Sequence, residues 1–138
     1  IEALVESIGL IREGIAPRIP QDESRATYEG LCTEKDAVIS WHQPAPKIYN
    51  LIRGTNPRPG ATTHFQGKRL KIFDSELLWE SVDRLPGEIC DISNQGFVVA
   101  SINGAILIKR VQPEGSPKIA APEFAQLVLL KVGDKLGE

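Results

Sequence analysis

What most limits the folding choices of this chain is its second half, where short alternating apolar segments are each cut off by a signal for tight reversal. The sharpest of these signals is Asn103-Gly104. Asparagine and glycine both tolerate the positive φ that a two-residue hairpin loop demands, so the flanking segments are set antiparallel. Before it, Phe97–Ser101 reads as a strand. After it, Ala105–Val111 reads as another, with Ile106, Leu107 and Ile108 apolar on both faces, as in a buried strand. Upstream, Ala61–Phe65 is a strand, Gln66-Gly67-Lys68 a hairpin turn, and Leu70, Ile72 and Ser75 open a longer alternating strand. Gly87–Ile92 is a further strand, closed by Asn94-Gln95-Gly96.

Helical periodicity frames this region. In residues 1–13, Leu4, Ile8 and Ile11 share one face with Ile1 and Val5 beside it, and Gly14 suits the stop. That apolar face has almost no local partner, so it is expected to pack on a preceding domain. Ala16-Pro17-Arg18-Ile19-Pro20 stiffens the next stretch, and residues 15–27 read as a rigid tether or as a disordered tail. Thr33 and Asp36 mark a short helical turn in residues 33–40, and Val38-Ile39 runs extended into Trp41. Pro44 suits the first position of a helix over 44–53, with Ala45, Ile48, Leu51 and Ile52 as its stripe and Gly54 as its end. Asn56-Pro57-Arg58-Pro59-Gly60 is a strong turn. Pro122–Lys131 reads as a last helix packing through Phe124, Leu127 and Val128. The pattern predicts a mainly β, α+β fold: a five-stranded, partly open barrel of the OB kind with flanking helices.

The formal net charge is -2, which neither invites nor excludes a polyanion. Its distribution is uneven. Residues 51–73 hold Arg53, Arg58, Lys68, Arg69 and Lys71 with no acid, and residues 74–91 are acidic. Cys32 and Cys90 lie far apart with no CxxC partner, so no metal motif is expected, and a reduced intracellular pair is preferred to a disulfide. No apolar run is long enough to span a membrane. The chain opens at Ile1 without a basic leader or an initiator Met, and is expected to begin inside something longer.

Chemistry-bearing motifs are scarce. The two histidines, His42 and His64, have no catalytic or metal-binding company in sequence. There is no GxSxG, HExxH, Walker or dinucleotide motif, so no catalytic residue and no metal ligand is assigned. The basic strip can be a solvated hairpin or a face for a partner or polynucleotide. Strand alternation divides Lys68, Arg69 and Lys71 between two faces, and Phe65 and Phe73 are its possible stacking residues.

An ordered set of short motifs nevertheless resembles a known family. The set runs Glu13–Gln21, Ala26–Gly30, Ile39-Ser40-Trp41, Gln43-Pro44-Ala45 and Ile48–Gly54, and closes with Asn56-Pro57 and Pro59-Gly60-Ala61. It is similar to the linker and the start of the C-terminal domain in enzymes that use 10-formyltetrahydrofolate. These are methionyl-tRNA formyltransferase, the hydrolase domain of 10-formyltetrahydrofolate dehydrogenase and the sugar-nucleotide formyltransferases. Ala26–Gly30 and Ile52-Arg53-Gly54 look closest to the hydrolase, while Trp41–Ala45 is shared with the sugar enzymes.

The resemblance implies a catalytic Rossmann-like N-terminal domain in cis, of which residues 1–14 would be the last helix, 15–32 the linker and 33–138 the accessory barrel. It implies a cytoplasmic enzyme, a formyltransferase or formyl hydrolase using 10-formyltetrahydrofolate, whose catalytic Asn, His and Asp lie outside this chain. It implies no cofactor and no catalysis in these residues, but a wall of the cleft that helps to choose the formyl acceptor. Cleft-facing or partner-facing candidates are Arg53, Asn56, Arg58, His64, Lys68, Arg69 and Lys71. A tRNA-binding module and an oligomerisation domain remain the alternatives.

Overall fold

Proline and glycine decide where most elements begin and end in the computed structural model, which describes every residue except Ile1, Glu29, Ser81 and Glu138. The chain divides into two compact units, residues 1–30 and 31–138. The expected place of Ile1 beside the first helix's apolar face lies outside the described residues.

In the first unit, α1 (Glu2–Arg12) buries none of its residues. Leu4, Val5, Ile8 and Ile11 are all more than half exposed, so the amphipathic pattern is present without anything covering it. Gly14, at φ +72, ends the helix in a left-handed turn, and the Ile15 N–H donates to the Leu10 carbonyl at 3.0 Å. An extended stretch then reaches a single 3-10 turn, Glu23–Arg25, capped by the Asp22 carboxylate.

The second unit opens with a turn in which the Asp36 carboxylate accepts from both the Thr33 N–H (2.8 Å) and its hydroxyl (2.7 Å). α2 spans Ala45–Thr55 with Pro44 as its N-cap, and buries Ala45, Ile48, Ile52 and Thr55. It runs through Gly54 because the Thr55 hydroxyl closes the last turn on the Leu51 carbonyl at 2.8 Å. The strands are β1 (Ala61–Phe65), β2 (Lys68–Leu78), β3 (Ile89–Ser93), β4 (Gly96–Ser101), β5 (Gly104–Pro113) and β6 (Ile119–Ala120). They form a six-stranded sheet ordered β1-β2-β5-β4-β3, with β6 beside the end of β5, and every pairing is antiparallel. The fold is thus mainly β with helices, as expected. The short β6, two residues with no alternation to read, is the strand that periodicity misses.

β5 is buried from Gly104 to Ile108 on both faces, as its unbroken apolar run requires. The Asn103 turn is displaced by one residue. Ile102 and Asn103 form the loop, and Gly104 pairs with Ser101 as the first residue of β5. Glycine is needed there because a Cβ would meet the Leu78 carbonyl at 2.7 Å. β2 carries a bulge around Phe73 and Asp74, which turns its far half. α3 (Ala121–Leu127) is shorter than the expected 122–131, because Leu129 turns left-handed (φ +53) and the chain doubles back. Phe124 packs inward, edge-on to Phe65 with ring centroids 6.1 Å apart. Leu127 points outward, contrary to expectation, and Leu130 is buried in its stead.

The sheet's outer strands do not end free. The extended residues 37–39 pair with β1, with the Thr62 N–H donating to Ala37 (2.7 Å) and the Ile39 N–H to Thr62 (2.8 Å). At the other edge, the Ile89 N–H donates to the Asp134 carbonyl (2.8 Å), the Gly133 N–H donates to the Ile89 carbonyl (2.9 Å), and the Leu136 N–H donates to Gly87. One residue later, the Gly137 N–H donates to His64 on β1 at 2.8 Å. One short segment therefore stitches both ends of the sheet. Trp41 is buried under this seam, its indole N–H donating to the Thr63 hydroxyl at 3.0 Å.

Gly87, at φ +90, lies against this seam, and a Cβ there would meet the Leu136 carbonyl at 2.7 Å. Gly67, at φ +73, has open space around it. Gly87→Ala is therefore expected to destabilise the domain clearly more than Gly67→Ala, which pays only the left-handed backbone penalty of about 1–2 kcal/mol. Urea unfolding followed by tryptophan fluorescence measures both; equal losses would mean that the seam tolerates the displacement.

Candidate functional site

The basic strip separates into three places once the strands pair. On one face of the β1–β2 hairpin, His64 lies opposite Arg69 and Thr62 opposite Lys71. On the other, Phe65 lies opposite Lys68 and Thr63 opposite Leu70. The expected division of Lys68 from Arg69 and Lys71 follows directly from this two-residue period.

Arg69 and Lys71 are not bare cations. The Lys71 ammonium donates to Glu34 at 3.0 Å and to the Pro59 carbonyl at 2.9 Å. Arg69 sits 3.9 Å from Glu34 and 3.7 Å from Glu114. The hydrogen bond from Lys71, then its charge, then that of Arg69, hold the Glu34 carboxyl below its ordinary pKa. The absence of acids within residues 51–73 is thus offset by acids brought in from positions 34 and 114. No sequence signal near the strip announces these two glutamates, because they reach it through β-sheet pairing and a loop.

Arg53 engages its own helix rather than reaching back along the chain. Its guanidinium donates to Asn50 at 2.8 Å and lies 5.0 Å above the Tyr49 ring, the i–3 and i–4 neighbours that helical spacing supplies. The Asn56 amide donates to the Phe73 carbonyl at 2.9 Å and so ties the turn to β2. Arg58, Lys68 and His64 are exposed. Among the described residues Arg58 and Lys68 carry no ion pair. Neither candidate stacking ring is available: Phe65 is in the core, and Phe73 is buried with the Lys118 ammonium 3.4 Å above it.

His42 is exposed in the loop before α2. Cys32 is exposed, Cys90 is half-buried, and both are free thiols. Desolvation, foremost, raises the Cys90 pKa and disfavours its thiolate. Among the described residues no group of three His, Cys, Asp or Glu could hold a metal ion, and no helix is long and apolar enough to cross a membrane. What the strip offers, among the described residues, is Arg58 and Lys68 without an ion pair, with a buried frame behind them.

The overall fold is shared with a solved protein. The crystal structure of a HypX variant from Aquifex aeolicus superimposes with a TM-score of 0.70 over 97% of this chain and 25% of that one, at 19% identity. HypX from the same organism is also solved with tetrahydrofolic acid, with a TM-score of 0.69 and 18% identity. At such identity the likeness is one of fold. Residues 32–128 match the model of the formyl transferase C-terminal domain, and the chain belongs to that family. It is 41% identical over 134 residues to the methionyl-tRNA formyltransferase of Moorella thermoacetica, and 36% identical over 136 residues to that of Bacillus velezensis. These alignments take in 97% and 98% of the chain but 43% of each relative, so the chain spans about two-fifths of the curated relatives it matches. These relatives are methionyl-tRNA formyltransferases, whereas the short motifs at residues 26–30 and 52–54 led to the expectation of a nearer likeness to the hydrolase.

The depressed Glu34 pKa has a signed consequence. A carboxyl that titrates lower in the folded state contributes stability above its ordinary pKa and loses it as the pH falls through the depressed value. Acidification is therefore expected to release the residue 33–36 turn from the hairpin as Glu34 is protonated, and protonation of the Asp36 carboxyl, itself held low chiefly by the Thr33 hydroxyl, loosens the turn further. Carboxyl carbon shifts of Glu34 across a pH titration would show the low midpoint. In Lys71→Ala the midpoint should rise toward that of an unpaired glutamate; an unchanged midpoint would dissociate the two groups.

Proposed function

We propose that this chain is the accessory, non-catalytic C-terminal part of a formyltransferase that uses 10-formyltetrahydrofolate, and that it helps to position the formyl acceptor. The observation that carries this is the alignment: nearly the whole chain matches methionyl-tRNA formyltransferases, yet accounts for 43% of their length. The remainder of such a protein would hold the catalytic groups, in cis and on the N-terminal side. The uncovered apolar face of α1 supports the same division, since an amphipathic helix with no buried residue is an element built for a partner. In this reading residues 1–14 belong to the catalytic domain, 15–32 are the linker and 33–138 form an OB-like barrel in a cytoplasmic enzyme. The tetrahydrofolic acid bound by HypX is in keeping with a folate donor for the parent protein.

Methionyl-tRNA is the acceptor that the relatives' names favour. The unpaired Arg58 and Lys68, with Arg53, are the cations best placed to meet phosphate, while Arg69 and Lys71 are largely satisfied by Glu34 and Glu114. The buried Phe65 and Phe73 argue for contact with backbone phosphate rather than with stacked bases.

Two measurements test this. The purified 138-residue chain should show no formyl transfer from, or hydrolysis of, 10-formyltetrahydrofolate, and turnover by it would sink the accessory role. It should retain tRNA weakly at low salt, and raising salt from about 50 to 200 mM should cut affinity about tenfold or more if two or three phosphates are met. Arg58→Ala with Lys68→Ala should flatten that dependence; no retention at any salt would point to a different acceptor.

A further inference from the structure

We infer that the cleft between the β1–β2 turn and α3 is a binding site for a small amphipathic monoanion, an aromatic or branched apolar body carrying one carboxylate-like group. The cleft has a volume of about 310 Å³ and takes its floor from Phe65, Leu70 and Phe124. All three are almost wholly buried, so the floor is fixed by the core and does not depend on a flexible loop. Val128 and Leu127 wall one side, and Lys68 stands on the rim. The volume sits at the small end of the range for ligand sites. It is roughly twice the 150 Å³ that holds a benzene ring. A body of about ten to twelve non-hydrogen atoms fits.

Charge selects the rest of the ligand. The charged residues lining the cleft are Lys68, Arg69 and Glu114, two cations and one anion, which leave one positive charge in excess. Arg69 is turned toward Glu114 (3.7 Å) and Glu34 (3.9 Å), so the unspent charge is that of Lys68. A monoanion matches it, and a polyphosphate does not. A nucleobase finds no open ring face, because Phe65 and Phe124 meet edge-to-face at 6.1 Å and are 6% and 4% exposed. The hairpin turn keeps Lys68 at the rim. Gln66 and Gly67 take φ of 51 and 73, and Lys68 follows as the first residue of β2, opposite Phe65. Lys68 is shared between this cleft and the phosphate contact proposed above, so the small anion and tRNA compete for it.

Titrating the 138-residue chain with 4-phenylbutyrate, read by backbone amide NMR, tests the inference. Saturable shifts are expected at residues 66–70, 114–116 and 124–128. The neutral probe 4-phenylbutanol should bind about fivefold more weakly, the factor expected for one Coulomb contact fully screened by bulk water, and 4-phenylbutylamine more weakly still. Lys68→Ala should erase the difference between acid and alcohol while leaving the remainder of the spectrum in place. Ser116→Trp, which fills the cleft from its half-buried rim, should abolish binding of both. Shifts that do not saturate or that spread over the molecule, equal affinity for the three probes, or acid selectivity that survives Lys68→Ala would each overturn it. So would an RNA hairpin that perturbs the same amides when 4-phenylbutyrate does not.

Discussion

The architecture of this domain depends on how its sheet is closed. An open antiparallel sheet leaves two rows of unpaired backbone groups, and those rows invite wrong pairing. Here the segment from Gly133 to Leu136 answers the β3 side, residues 37–39 answer β1, and the Gly137 N–H adds a bond to His64 that ties the two closures together. Trp41 locks that stretch from beneath, between Gly87 and Gly137, with its N–H satisfied by Thr63. A bulky apolar side chain with a satisfied polar end is suited to such a place, because it excludes water and still leaves no donor unpaired.

The closure also determines what the surface can do. Because β1 and β2 are held in register, Arg69 and Lys71 share a face and are met by Glu34 and Glu114, while Lys68 is turned to the opposite face above an apolar floor. A run of basic residues thus becomes a neutralised network on one side and a single unpaired cation on the other. Among the described residues Arg58, on the turn before β1, also carries no ion pair, and Arg53 is held only by Asn50 and the Tyr49 ring of its own helix. The proposed accessory role asks of this sparse surface only modest contact with an acceptor.

Much of the fold is legible along the chain. The strands around Asn103, the buried character of Ala105–Ile108, the helix that Pro44 initiates and the uncovered stripe of α1 all come from periods of two or 3.6 and from residues that tolerate special backbone angles. The family motifs from Glu13 to Ala61 pointed to the same domain that the family model matches over residues 32–128. The elements that escaped are those with no period to display: the two-residue β6, the bonded but irregular residues 133–137, and the early end of α3 at Leu127.

Local order, then, was determined by sequence alone: which segments are strands, where they reverse, and which helix carries an apolar face in need of a partner. Those properties depend on backbone sterics and on burial patterns that operate within about ten residues. The tertiary structure alone decided which charges remain unpaired and where an apolar cleft opens. Glu34 and Glu114 lie on opposite sides of Arg69 in sequence and at long range, and Phe124 reaches Phe65 only when α3 folds back over the sheet. Electrostatic pairing and cavity shape depend on distances through space, and a linear chain does not contain those distances until its strands have chosen their neighbours.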